Sequence, residues 1–151
     1  MEMRRLVYSK RFDSILLRIC TDCKVVVPYD PFVGSSSPEQ LLSYSALWDT
    51  GATITCVSSR VIEDLQLIPL RKTTLFLASG ETETEEYAID LVLPNGVRYS
   101  SVRVIRTEGP DDVTIGMDII ALMDFAITHP EEDTLFSFQI PPSTPIDFCE
   151  L

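Results

Sequence analysis

The pattern of apolar and polar positions along the chain is that of strands. Short runs rich in Val, Ile, Leu, Thr and Tyr are separated by turn signals, as an all-β fold requires. The pattern predicts strands near residues 13–19, 23–28, 43–49, 53–57, 73–78, 84–93, 97–105, 113–115 and 134–140. Two segments read as helices: 58–65, with Ser58 or Ser59 as N-cap, and 117–123. Leu93-Pro94-Asn95-Gly96 reads as a hairpin turn in which Asn-Gly supplies positive φ values. Residues 30–38, DPFVGSSSP, read as a loop, and no repeat spans the chain. After residue 140 the sequence becomes PPSTPIDFCEL. The expectation is a folded domain over 1–140 and an extended, partly mobile, Pro-rich tail over 141–151.

Composition narrows the class. A chain of 151 residues, 45% hydrophobic and 23% charged, is one globular domain large enough to bury a core. Its net charge of −11 argues against nucleic acid or an anionic membrane as partner, since both need a basic footprint. No apolar run has membrane-spanning length, and MEMRRLVYSKRFD lacks the apolar core of a signal peptide, so the expected compartment is the cytoplasm. Cys20-Thr21-Asp22-Cys23 has CxxC spacing, but no second pair and no histidine pair completes a zinc site. ILLRICTDCKVVV reads as two strands around a tight turn, which makes these reduced thiols beside a hairpin. Cys149 sits one place off the prenylation pattern.

The chemistry concentrates in residues 46–58, ALWDTGATITCVS. Asp49 follows an apolar strand directly, where a carboxylate is costly unless paired, hydrogen-bonded or protonated. A glycine after Asp-Thr lets the backbone turn sharply, so the carboxylate projects from a tight loop held between strands. One aspartate is a poor machine for peptide hydrolysis. Two that share a proton can act together, one as base toward a water and one as acid toward the carbonyl oxygen. The chain holds no second Asp-Thr/Ser-Gly; Phe12-Asp13-Ser14-Ile15 lacks the glycine. The second carboxylate must then come from another copy, which two-fold symmetry supplies by setting a residue near the axis against itself.

At this point the sequence resembles the retroviral-type, retropepsin-like aspartic proteases, single-domain relatives of one pepsin lobe. The resemblance rests on Leu47-Trp48-Asp49-Thr50-Gly51-Ala52 and on the downstream Val113-Thr114-Ile115-Gly116-Met117-Asp118-Ile119-Ile120, and covers residues 43–128. It implies a β-barrel protomer with a flap hairpin from Thr73 to about Ile89, tipped by Ala78-Ser79-Gly80, and one short helix after Ile115-Gly116. It further implies that Asp49 is catalytic, that Thr50 hydrogen-bonds across a dimer axis, and that Gly51 contacts the substrate backbone. Ala52 completes the active-site loop, and Ile115 and Gly116 support it from beneath. Viral members often carry an acid after Asp-Thr-Gly-Ala and an arginine after Ile-Gly. Thr53 and Met117 occupy those places here, an uncharged double replacement that resembles bacterial and cellular members more. The segment Thr134–Ile140 is then a candidate interface or edge-covering strand.

Other residues read as structural. Asp118 opens a helix, where a carboxylate meets the N-terminal dipole favourably. His129, the sole histidine, cannot found a Ser–His or Cys–His hydrolase or a metal site. Glu81, Glu83 and Glu85 share one strand face as a solvated stripe, or alternatively bias a cleft against acidic peptides. Trp48 should point opposite Asp49 into the core. The expected function is a cofactor-free, metal-free homodimeric aspartic endopeptidase acting on peptides. The alternative is a non-catalytic module of the same fold that dimerises or binds extended peptide.

Overall fold

The computed structural model describes residues 5–32, 39 and 41–151, so most of the predicted 30–38 loop lies outside the described residues. Along the chain run strands β1 (Leu6–Phe12), β2 (Cys20–Val26), β3 (Leu42–Trp48) and β4 (Cys56–Ser58), then helix α1 (Ser59–Leu65). Strands β5 (Arg71–Leu77), β6 (Gly80–Val92), β7 (Arg98–Thr107) and β8 (Val113–Ile115) lead to helix α2 (Met117–Ile120). Strands β9 (Asp124–Thr128) and β10 (Thr134–Ile140) follow, joined through a short 3-10 turn.

The larger sheet has the order β2-β3-β8-β4-β7-β6-β5, and β2 also pairs with β6. Six strands therefore close on one another, and β5 hangs from β6 as the outer arm of a hairpin. Strand β6 is long enough to serve both structures. Its first half, Gly80–Glu86, pairs with β5, while Glu86–Val92 pairs with β7 inside the barrel. Burial changes with the partner. Gly80–Glu83 is exposed, whereas Ile89 and Leu91 are fully buried with Val25, Val104, Val113 and Ile115. At the join, buried Glu86 accepts hydrogen bonds from Arg71 on β5 and Arg103 on β7.

The smaller sheet, β1-β10-β9, is antiparallel throughout. Aromatic rings fasten it to the barrel. Trp48, at the end of β3, lies 5.0 Å from Phe136 and 5.3 Å from Phe138 of β10, and Phe138 stacks on Tyr8 of β1. The Trp48 Nε1–H donates to buried Thr21 Oγ1, which satisfies the one polar atom of that ring. Trp48 thus faces the core, as its position next to Asp49 predicts. Beyond β10, Asp124 Oδ2 accepts from the backbone N–H groups of Ser143 and Thr144 and so ties the start of the tail to β9.

Four readings of local sequence are corrected. Residues 13–19 form no strand; they are an irregular crossing segment in which Ile19 is the one buried residue. Cys20 to Cys23 lies within continuous β2, not at a turn, so the two thiols three residues apart face opposite sides. In the β6–β7 turn, where Gly96 N–H donates to Leu93 O, Gly96 alone takes a positive φ, 84°, and Asn95 does not. Strands β1 and β9 were not predicted, and α2 ends at Ile120 rather than 123. Among the described residues no helix is long and apolar enough to cross a membrane.

Candidate active site

Strand β8 lies between the two strands that flank Asp49. It runs parallel to β3, with Trp48 opposite Ile115, and antiparallel to β4, with Cys56 opposite Thr114. Residues 49–55 therefore leave one neighbour of β8 and return to the other, and the loop is held at both ends by a single buried strand. Asp49 N–H donates to Ile115 O at 2.9 Å, and Met117 N–H donates to Ala52 O at 2.7 Å. At the loop's bend Gly51 N–H donates to Asp49 Oδ1 at 2.8 Å. That bond fixes the half-buried carboxylate, and among the described residues nothing donates to Oδ2. A Cβ on Gly51 would stand 3.1 Å from Asp49 Oδ1, so the absence of a side chain preserves the fit.

Gly116 is the tighter constraint. A Cβ there would meet Ile54 C at 2.8 Å and the carbonyl oxygens of Ala52 and Ile54 at 2.9 Å, all backbone atoms of the loop. Only glycine lets the end of β8 pass this close beneath residues 52–54. A second brace lies alongside. Fully buried Thr55 donates from Oγ1 to Asp118 Oδ1 at 2.7 Å and from its N–H to Oδ2 at 3.1 Å, while Gly116 N–H donates to Thr55 Oγ1. The Asp118 carboxylate does meet α2, since Ile119 N–H donates to Oδ1, but its main work is to clamp helix and loop together. With Thr53 and Met117 uncharged, this polar clamp ties the two motifs without an ion pair. The sequence reading missed it: Thr55 lay inside an apolar run and Asp118 looked like an ordinary helix-opening acid.

Asp49, Gly51 and Ala52 open on a cleft of about 1110 Å³ whose far wall is the β5–β6 hairpin, including Leu75, Phe76, Ala78 and Ser79. The hairpin turns at Ala78-Ser79, with Leu77 paired to Gly80, whose φ is 127°. The tip is exposed, and so is Phe76 at 73%. Thr50 is exposed at the crown of the loop, and Ile115 is fully buried behind it. Cleft residues not anticipated include Cys56 and Ile105 in the wall and Glu108 and Asp111 at one end. Burial first, then the carboxylates of Asp118 and Asp49, push the Cys56 thiol up to about 11, so it stays protonated and is no nucleophile. Burial, then Asp112 and Asp22, likewise pushes the Cys23 thiol up to about 12, and Cys20 and Cys23, on opposite faces of β2, are both free thiols. His129 is exposed on another element, with Nδ1 3.4 Å from Thr134 Oγ1, and forms no nucleophile–base pair with the cleft residues.

A closed barrel, an aspartate loop strung between the neighbours of one inner strand, and a hairpin over the resulting cleft define the single-lobe acid-protease class. Comparison with known proteins agrees. A family model described as aspartyl protease matches residues 39–119, more than half of the chain. The structure is similar to a retropepsin-like aspartic protease from Rickettsia conorii, with TM-score 0.56 and 14% identity over 93% of this chain and 98% of that one. It is also similar to the EIAV protease in complex with the inhibitor HBY-793, with TM-score 0.51 and 19% identity over 69% of this chain and 86% of that one. No curated protein gives a significant sequence match. The chain belongs to the aspartyl protease family, and its fold is retropepsin-like.

Proposed function

We propose that the chain is a homodimeric aspartic endopeptidase with one active site per dimer. The observation that carries the proposal is the setting of Asp49. Its carboxylate is held by one glycine N–H at the mouth of a flap-covered cleft, in a chain with a single Asp-Thr-Gly. In the dimer, two Asp49 carboxylates face each other and share one proton, because like charges that close do not both ionise. The unprotonated carboxylate takes a proton from the attacking water, and the protonated one donates toward the scissile carbonyl oxygen. Thr50, exposed beside Asp49, is the residue to hydrogen-bond across the axis, and Gly51 offers its carbonyl to the substrate backbone. The flap tip, Ala78 to Gly80, closes over the extended peptide and excludes water. Ile115 and Gly116 keep the loop rigid from beneath. The working unit is residues 1–140, with 141–151 as an extended Pro-rich tail, and cytoplasmic operation belongs to the same proposal.

The test is cleavage of a mixed peptide library by the wild-type chain and by Asp49→Asn, with circular dichroism on both. The amide is nearly isosteric and relieves like-charge repulsion, so the variant should keep its fold and lose cleavage. Undiminished cleavage by the variant eliminates the mechanism. A wild-type dimer that binds peptides and cuts none establishes the binding-module reading instead.

A further inference from the structure

The flap hairpin has two unlike faces. Side chains alternate across a strand, so Lys72, Thr74 and Phe76 of β5 share one face with their β6 partners Glu85, Glu83 and Glu81. Three of these six, Thr74, Phe76 and Glu83, line the cleft on which Asp49 opens. Thr74 is the direct partner of Glu83, which makes Phe76 and Glu83 diagonal neighbours, ~7–8 Å apart and within reach of one long side chain. The Phe76 ring is 73% exposed, and Glu83 is exposed beside it. A ring turned to water on a cleft wall is contact area that a bound peptide can bury.

The other charges around the cleft already have partners. Both Asp111 oxygens accept from Arg18 Nη2 at 2.6 Å. Arg106, the one cation in the cleft lining among the described residues, lies 3.7 Å from Glu85 and 3.5 Å from Glu108. Tyr87 OH also donates to Glu85, at 2.7 Å. The described residues give Glu83 no hydrogen bond and no ion pair, although Glu85 and Glu108 have both. The cleft thus offers an incoming peptide one uncommitted carboxylate next to one bare aromatic ring.

We infer that Phe76 and Glu83 read a basic side chain of the substrate, and arginine above all. A guanidinium is planar and weakly hydrated, so it lies on the ring face while its N–H groups donate to the carboxylate. A lysine ammonium holds its water more firmly and gains less from the ring. An acidic side chain in the same place meets Glu83 as a like charge and is rejected. Both reading residues belong to the flap, so the contact forms as the hairpin closes, and the matching side chain favours closure. The inference rests on the reading of this cleft as the peptide site and names the side chain that the site selects.

The test reads binding apart from cleavage, using the full-length Asp49→Asn chain and fluorescently labelled peptides of Ala and Leu. Arginine is scanned through the positions, and citrulline, its uncharged near-isostere, and lysine then replace it at the best one. Anisotropy titration should show arginine bound about fivefold more tightly than citrulline, with lysine between them. Adding Glu83→Gln should remove the difference, and Phe76→Leu should bring arginine down to lysine. Glu81→Gln makes the same charge change on the same face outside the cleft lining and should leave the preference intact. Equal binding of arginine and citrulline peptides overturns the inference, as does no binding of any peptide. A preference that survives Glu83→Gln, or that Glu81→Gln removes equally, also overturns it, since the selection then comes from the overall charge. If the preference follows Glu83 but the wild-type chain cuts none of these peptides, the inference stands and the catalytic reading falls. If the wild type cuts and Asp49→Asn does not, yet arginine and citrulline bind alike, the catalytic reading stands and the inference falls.

Discussion

At Gly116, the close approach between β8 and the aspartate loop is made entirely of backbone, so no side chain can swing aside to admit a methyl group. Gly116→Ala should therefore cost ~1–3 kcal/mol through overpacking, and the strain falls on residues 52–54 next to Asp49. The expected result is a lower Tm, by ~2–4 °C per kcal/mol in a domain of this size, with kcat reduced more than KM is raised. Asp118→Ala removes both acceptors of fully buried Thr55, a loss on the order of 1–3 kcal/mol, and Asp118→Asn should recover part of it through the remaining carbonyl oxygen. Equal Tm values for the alanine and asparagine variants would deny the clamp its role. The sequence made Asp49 and Gly116 legible because each sits in a short local motif. The Thr55–Asp118 pair was not legible, because its partners are 63 residues apart and neither is unusual in its own neighbourhood.

The elements differ in how far their own residues specify them. Strands β8 and β10 fall where the apolar pattern sets them, and α1 is capped by Ser58, whose side chain accepts from Val61 N–H. Strand β1 shows little periodicity, with only Tyr8 and Phe12 partly buried, because it exists through pairing with β10, from Leu6 opposite Ile140 to Phe12 opposite Thr134. A strand made by a partner at the far end of the chain leaves no local signal. The 13–19 run has the opposite fault: its Ile, Leu and Leu look like a strand, yet much of that apolar surface faces outward. At the flap's base the Arg71 guanidinium first, with Arg103 beside it, holds the Glu86 carboxyl below its ordinary value of 4.5. A depressed carboxyl adds stability above its unfolded value and loses it as pH falls through the folded one. Wild type should therefore lose Tm from roughly pH 5 downward, and Glu86→Gln should flatten that slope while lowering Tm at neutral pH. A parallel pH dependence in the two proteins would contradict this account of the join between flap and barrel.

For the whole molecule, assembly is the central variable, since half of the proposed site lies in another copy. Specific activity should fall on dilution as dimers part. Each chain carries a net charge of −11, so two copies repel, and added salt, by screening over about 10 Å at 0.1 M, should hold the dimer together to lower concentration. The same salt should reduce any preference for basic over acidic peptides at a cleft bordered by Glu83, Glu108 and Asp111. Concentration-independent activity, or dissociation promoted by salt, would count against this picture. A shared proton also demands a bell-shaped dependence of kcat/KM on pH, on the acidic side of neutrality. None of this depends on residues that the sequence conceals. What a single chain could not disclose is the geometry between copies, because the sequence lists the parts of one protomer and the proposed site is divided between two.

Trp48 gives these experiments a common optical readout. It is the only tryptophan, its ring is wedged between the barrel and the Phe136–Phe138 pair, and it adjoins Asp49 in the chain. Intrinsic fluorescence therefore comes from one place, the seam where the smaller sheet meets the barrel. A red shift in its emission marks water entering that seam. Dilution that lowers activity with no red shift is subunit separation, and the two together mean that the sheet has come away from the barrel.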